Sequence, residues 1–387
     1  MRGRARSFEA KARELIAQMA AKDRLRESRP LGQHDADPER LRRNRLTWPE
    51  ILDQPRAIEE TLREEETAIR SAALGISHRP INRVYLVGCG DSLAVMLGMR
   101  GLLERLLGVP CEPMQALDYA YYYGSSDPGA LVIALSSTGW TTRVAEALFA
   151  ARNAGLRTIA ISNSADAPIF SIAEIGLLVH ATRLGWPTQS STAAMALIAR
   201  LGIELARAYG HDAGQLASYE RYLNLAPALI GEVVRQHAAA MADLAARELK
   251  TPLFIFAGGG PAYSSATIGA AKIKECTNRH AATIQIEEYH HYLSQMAGEP
   301  MFVVAPDGRT AQRSADALHV GRANGGRLYG LISQDSVLPS DLFDWSIHLP
   351  RIDELLTPLI YTIPLQVFAY QVGVSIAGAS TDGAPTN

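Results

Sequence analysis

Beyond residue 83 the chain alternates between two hydrophobic rhythms. Short apolar, often β-branched runs that close on small or polar residues, VYLVGCG (84–90), LVIALSS (131–137), TIAISNS (158–164) and GLLVHAT (176–182), are separated by stretches with apolar positions at helical spacing. The runs lack the in-out alternation of a half-exposed strand, so they predict buried strands of a parallel sheet with helices on both faces. SLAVMLGMRGLLERLLG and RVAEALFAARNAG predict the crossover helices, the second with Gly155 as its C-cap. After a helical stretch from Ala193 to Leu249 the same grammar returns in PLFIFAGGG (252–260), ATIQIEE (282–288), MFVVAPDG (301–308), RLYGLISQ (327–334) and WSIHLP (345–350). Two weakly similar α/β units of about five strands each account for this repetition more economically than one large sheet.

The flanks follow other patterns. A helix is predicted around Ala10 to Arg26, in a basic arm that reads as solvated or as contacting another subunit. From Trp48, WPEILDQPRAIEETLREEETAIRSAA predicts an amphipathic helix leading into the first unit. LIYTIPLQVFAYQVGVSIAG predicts a buried helix and STDGAPTN a loose tail. The expected division is a basic arm at 1–47, a first domain at 48–215 and a second at 216–387.

Composition narrows the partners. With 387 residues, 47% apolar and 20% charged, the chain is long enough for two or three domains. A net charge of -2 and a pI near 6.6 leave no footprint for nucleic acid, although the first 45 residues carry 13 Lys/Arg against 7 Asp/Glu. Cys89, Cys111 and Cys276 form neither a paired framework nor a CxxC. The apolar runs are broken well short of a membrane span, and the N-terminus leads into RELIAQMAAKDRLRE rather than an apolar signal core. A cytoplasmic protein with no membrane partner is expected.

Candidate chemistry concentrates in ALSSTGWTTRVAEAL (134–148), where a strand ends in Ser136, Ser137, Thr138 and Gly139, and Thr141 and Thr142 open a helix. Hydroxyls together with the unsatisfied N–H groups of a helix N-terminus make a neutral cradle for a phosphate dianion, one without a lysine. An N-cap followed by an ordinary Ser/Thr-rich turn fits the same residues. GGGP (258–261) follows a strand but lacks G-x-G-x-x-G and an acidic ribose partner, so no nicotinamide cofactor is expected. His290 and His291 beside Glu287 and Glu288 lack H-x-x-x-H or H-x-H spacing, and neighbouring strand residues face opposite sides, so no metal is expected.

SSTGWT is similar to the S-x-S-G-x-T phosphate loop of SIS (sugar isomerase) domains, and three further matches follow in the family's order. GCGDS (88–92) resembles the loop after the first strand in the isomerase half of glucosamine-6-phosphate synthases, WPEILDQPRAIEETL (48–62) their leading E-I-x-x-Q-P-x-A-I helix, and AAKIKECTNRHA (270–281) their A-L-K-L-K-E segment. The resemblance covers roughly residues 48–370. It implies an α/β fold of two flavodoxin-like parallel-sheet SIS subdomains in tandem, after a helical N-terminal extension, assembled as a homodimer or larger homo-oligomer.

The resemblance also implies roles. Ser136, Thr138 and Thr141 would hold phosphate, with Ser137 lining it; Gly90, Asp91, Ser92 and Thr188 would line the sugar, together with Cys89 of the same substrate loop, a small packing residue rather than a nucleophile. Lys272 and Glu275 fall on the K-x-x-E positions, Glu275 in the place of the enolising base, and His291 falls on the ring-opening histidine. The separation of 16 residues between Glu275 and His291 is shared with related SIS deglycases. A glutamate can carry a proton between C1 and C2, and an imidazole can shuttle one between ring oxygen and hydroxyl, without metal or cofactor. Without the resemblance, Glu275 reads as a surface charge paired with Lys272 at i, i+3, and His290 and His291 as core or interface residues.

Departures from the pattern point to a rebuilt pocket. Asp91 stands where the synthases have threonine, and its carboxylate can accept from a hydroxyl or pair with a substrate ammonium. Trp140 replaces the glutamate of S-x-S-G-E-T, H-Y-L replaces H-G-P after the histidine, and WPTQSS (186–191) replaces V-A-S-T-K-A. The residues before the tandem contain no Cys-Gly-Ile glutaminase start and STDGAPTN contains no lysine, so an internal ammonia source of the synthase kind is not expected. The expectation is therefore amine removal from a phosphorylated sugar, as an aminosugar-phosphate deaminase or Amadori-type deglycase, ahead of plain aldose–ketose isomerisation. A non-catalytic sugar-phosphate-binding regulator is the reading of a different class.

Overall fold

The structure, a computed structural model, describes residues 2–27, 37–292 and 294–382; residues 28–36 of the expected basic arm and 383–387 of the expected tail lie outside them. The chain forms two compact units, one of residues 2–27, 57–182 and 193–220, the other of 37–56, 183–192 and 221–382. Residues 48–56 and 183–192 thus pack with the second unit.

Among the described residues four helices precede the first sheet: α1 (Arg2–Glu27), α2 (Pro38–Leu52), α3 (Gln54–Glu64) and α4 (Glu66–Ser77). The first is not a solvated arm. Met19 is fully buried in the first unit's core, and Phe8, Leu15 and Ile16 pack against it. The single amphipathic helix expected from Trp48 is three helices. Asp37 caps α2, its Oδ1 accepting the Arg40 N–H at 2.9 Å. The break after Leu52 follows from Pro55, which has no N–H to give and whose ring would strike the Ile51 carbonyl in a continuing helix; Gln54 Nε2 donates to that carbonyl instead, at 3.1 Å.

In the first unit β1 (Arg83–Gly88), α5 (Asp91–Leu107), β2 (Cys111–Gln115), the single turn α6 (Ala116–Asp118), β3 (Ala130–Leu135), α7 (Thr142–Asn153), β4 (Arg157–Ser162) and β5 (Ile175–Leu178) build a five-stranded parallel sheet of order β2-β1-β3-β4-β5. The hydrophobic pattern does not show β2, because CEPMQ is a polar edge strand with a proline inside and only Cys111 buried. Helices α8 (Gln189–Ala208) and α9 (Ala213–Arg247) follow.

In the second unit β6 (Leu253–Gly258), α10 (Ala262–Cys276), β7 (His280–Gln285), β8 (Pro300–Ala305), α11 (Ala311–Ala323), β9 (Arg327–Ser333) and β10 (Trp345–Leu349) give a parallel sheet of order β10-β9-β8-β6-β7. Read from β6 this is the first sheet's topology again, so the expected pair of α/β subdomains is present. The expected strand through 288 ends at Gln285, and Glu288–His290 form a 3-10 turn. The last helix, α12 (Pro358–Asp382), packs on α10 and α2. Its stretch Pro358–Gly378 is long and apolar enough to cross a membrane, but 78% of its apolar window is buried within the protein, as the sequence predicts for a core helix.

Candidate active site

Strand order reverses between β1 and β3 in the first sheet and between β6 and β8 in the second. In open α/β sheets the crevice beyond the carboxyl ends of such strands is where ligands bind. Two of the expected site loops, 88–92 and 136–141, leave β1 and β3 at this point.

Loop 136–141 is fixed by backbone hydrogen bonds to the end of β4 and within itself. Ser136 N–H donates to the Ile161 carbonyl, the Ser137 carbonyl accepts from Asn163 N–H, and Gly139 N–H returns to the Ser136 carbonyl, all at 2.9–3.0 Å. Gly139 has φ +68°, and a Cβ there would lie 2.2 Å from the Ala167 Cβ, so no larger residue fits. Ser136 and Thr141 hydroxyls meet at 2.8 Å, and the Trp140 N–H donates to Thr138 Oγ1 at 3.2 Å. Thr141 is the N-cap of α7, yet its side chain makes no capping bond to the first turn. The ordinary N-cap reading of this threonine therefore does not describe it. Its hydroxyl is grouped with Ser136, and the first-turn amides are left without that cap.

The companion loop carries Cys89, Gly90, Asp91 and Ser92. Gly90 has φ +56° and opens α5; Asp91 lies in the first turn, and Ser92 is buried with its N–H on the Cys89 carbonyl at 3.1 Å. Cys89 Sγ lies 3.0 Å from Gln115 Oε1. Burial pushes its thiol up, outweighing the Ala116 amide and Arg143, so it stays protonated and suits packing better than nucleophilic attack.

The second unit offers an internal control. The matching position there is the turn before α11, where the Arg309 N–H donates to Glu354 Oε1 at 3.0 Å and a Cβ on Gly308 would meet that carboxylate at 2.4 Å. A carboxylate of the chain occupies this turn, whereas hydroxyls line its counterpart in the first unit.

Lys272 and Glu275 lie one turn apart near the C-terminal end of α10. The lysine is buried, 1% exposed, and its ammonium is ion-paired with the half-buried Glu275 carboxylate. Asn44 of α2 donates to the Cys276 carbonyl at 2.9 Å and accepts from Trp186 Nε1 at 2.7 Å. Glu50 accepts from the N–H groups of Leu184 and Gly185, and Thr47 from that of Trp186. Segment 183–192 is thus fastened to the same helix as the end of α10. Within it the Thr188 and Ser190 hydroxyls are buried and reach no protein partner among the described residues. Thr188 is among the expected site residues; Ser190, two positions on, is equally buried, which no pattern in the sequence marks.

His291 is elsewhere. Glu275 precedes β7 and His291 follows it, so within one chain they lie off opposite ends of a strand of six residues, about 20 Å long. The His291 side chain is 59% exposed, with Nε2 3.6 Å from Glu287 Oε1. Glu287 is in turn held by Arg313, whose hydrogen bonds lower its pKa. A cavity of about 690 Å³ opens at the amino ends of β6, β8 and β9, lined by Glu248, Arg327 and Tyr329 among others, and none of the expected site residues lines it.

Known proteins resemble this chain in sequence and in fold. Residues 79–202 match the SIS domain family. Curated relatives include the isomerizing glutamine–fructose-6-phosphate aminotransferases of Gloeobacter violaceus and Thermus thermophilus, each 29% identical over 335 residues and 84% of this chain. The chain spans about half the length of these relatives, 54% and 55%. Among solved structures, the C-terminal domain of glucosamine-fructose-6-phosphate aminotransferase from Francisella tularensis superposes with TM-score 0.77 at 21% identity, covering 86% of this chain and 96% of its own. Glucosamine-6-phosphate deaminase from Thermotoga maritima gives 0.63 at 18%, covering 85% and 94%. The family resemblance carried by the four motifs is borne out.

Proposed function

From the SIS domain matched at residues 79–202, we propose that this protein is an enzyme acting on a phosphorylated aminosugar or Amadori adduct by proton transfer between C1 and C2. The observation that carries the reading is the hydroxyl-lined turn before α7, uncapped by Thr141, at the strand-order reversal of the first sheet, against a carboxylate-filled counterpart in the second. Ser136, Ser137, Thr138 and Thr141 bind the phosphate. Gly90, Asp91, Ser92 and Thr188 bind the sugar, and Asp91 supplies the carboxylate that pairs with a substrate ammonium.

Glu275 takes the proton from one of the two carbons and returns it to the other, and Lys272 holds the glutamate in place. For a 2-amino aldose phosphate this moves the double bond to C2=N, water adds there, and ammonia leaves with a ketose phosphate; for a 1-amino ketose phosphate the imine forms at C1 and hydrolysis releases the amine and an aldose phosphate. His291 opens the ring, and its place beyond the far end of β7 from Glu275 favours a site completed by a second copy of the chain. The test is incubation with 6-phosphosugars and aminosugar phosphates in deuterium oxide. Deuterium at C1 or C2 supports the reading. No exchange with any substrate, while phosphorylated ligands still bind, replaces it with a sugar-phosphate-binding regulator; exchange without amine release favours plain isomerisation.

A further inference from the structure

Helix α1 does more than cover the core of the first unit. One turn beyond the buried Met19, its end reaches the phosphate loop: Lys22 Nζ lies 3.7 Å from the centre of the Trp140 ring, and the Asp23 carboxylate accepts from Thr142 Oγ1 at 2.5 Å. Trp140 is the residue that replaces the family's glutamate, and it packs partly buried against the same core. The replacement removes a negative charge from the loop and gives an ammonium a platform to rest on. The other cation of the α7 first turn, Arg143, is engaged by Glu146 at 2.8 Å and by the Tyr121 hydroxyl at 3.1 Å.

We infer that α1 is a working part of the phosphate site, with Lys22 supplying over Trp140 the positive charge that loop 136–141 lacks and Asp23, hydrogen-bonded to Thr142 at the start of α7, opposing the dianion. The inference rests on the phosphate-loop reading proposed above. It makes the two residues act with opposite sign, which a packing role does not: losing Lys22 weakens phosphate binding and neutralising Asp23 tightens it.

Calorimetry on the full chain with fructose 6-phosphate separates these ideas. Lys22→Met keeps the stem over Trp140 and removes the charge; it should raise Kd about three- to tenfold at low salt, with Lys22→Arg within about twofold of the parent. Asp23→Asn should lower Kd about two- to fivefold, and both effects should shrink at high salt. Thr138→Glu, which places an anion in the cradle, should abolish binding. If Thr138→Glu abolishes binding while Lys22→Met changes nothing, or Asp23→Asn weakens binding, this inference is overturned and the phosphate loop stands. If Thr138→Glu binds like the parent, or the parent binds neither fructose 6-phosphate nor glucosamine 6-phosphate, the phosphate-loop reading falls and takes this inference with it.

Discussion

A glycine, a glutamate and a histidine carry most of what single residues decide here. Gly139 needs a positive φ and has the Ala167 Cβ where its own would be, so Gly139→Ala combines backbone strain with a clash. It should destabilise the protein by about 1–3 kcal/mol and weaken phosphate binding with it, read as a lowered Tm and a raised Kd. Glu275→Gln and His291→Asn should each lower turnover by about 10²- to 10⁴-fold, with binding of fructose 6-phosphate nearly intact because the proposed phosphate loop belongs to the other unit. Turnover of Glu275→Gln within a few-fold of the parent would reduce Glu275 to the partner of a buried lysine. The types and spacings of these residues are plain in the chain, but the burial of Lys272 is not. A lysine on a helix reads as a surface charge until the packing around it is known.

At the scale of elements, polar ties decide where strands and helices begin and how they are joined. Just past α9, Glu248 is 3% exposed and accepts from Arg327, Thr251 and the Tyr329 hydroxyl at the start of β9. Burial alone would raise its pKa, but these hydrogen bonds outweigh it and hold the carboxyl below its ordinary 4.5. A carboxylate with a depressed folded pKa contributes stability above its unfolded value, and that contribution is lost as pH falls through the folded one. Glu248→Gln should therefore cost about 1.5–3 kcal/mol at pH 7, and the gap from the parent should close on acidification below about 4.5. Denaturant melts at pH 7 and pH 3 check this; an equal gap at both would mean the ties do not depend on charge. Apolar runs reveal nine of the ten strands among the described residues. They do not reveal β2, whose partners supply the burial its own residues lack, nor the helix break at Pro55.

For the whole molecule, the separation of Glu275 and His291 by the length of β7 has a direct consequence. If one copy contributes the glutamate and another the histidine, Glu275→Gln and His291→Asn chains that are each inactive should complement when co-expressed. Random pairing in a dimer regenerates one intact site in half of the assemblies, so about a quarter of parental turnover should return. No recovery, with mixed assemblies confirmed by mass, would place both residues in one chain's site after a rearrangement of β7 and its following turn. A fully active monomer by light scattering would rule out the shared site.

The sequence by itself determined the two parallel α/β units, the hydroxyl-rich turn at 136–141 and the K-x-x-E pair. Each depends on periodicity or on neighbours a few residues apart, and these are local properties of the chain. Only the tertiary structure decided that α1 brings Lys22 and Asp23 to that turn, that Glu354 fills the matching turn of the second unit, that segment 183–192 is fastened to α2, and that His291 lies off the far end of β7 from Glu275. Three of these are contacts across 45 to 135 residues, and the last depends on which way a strand runs. Packing and strand direction set them, and no pattern along the chain records either.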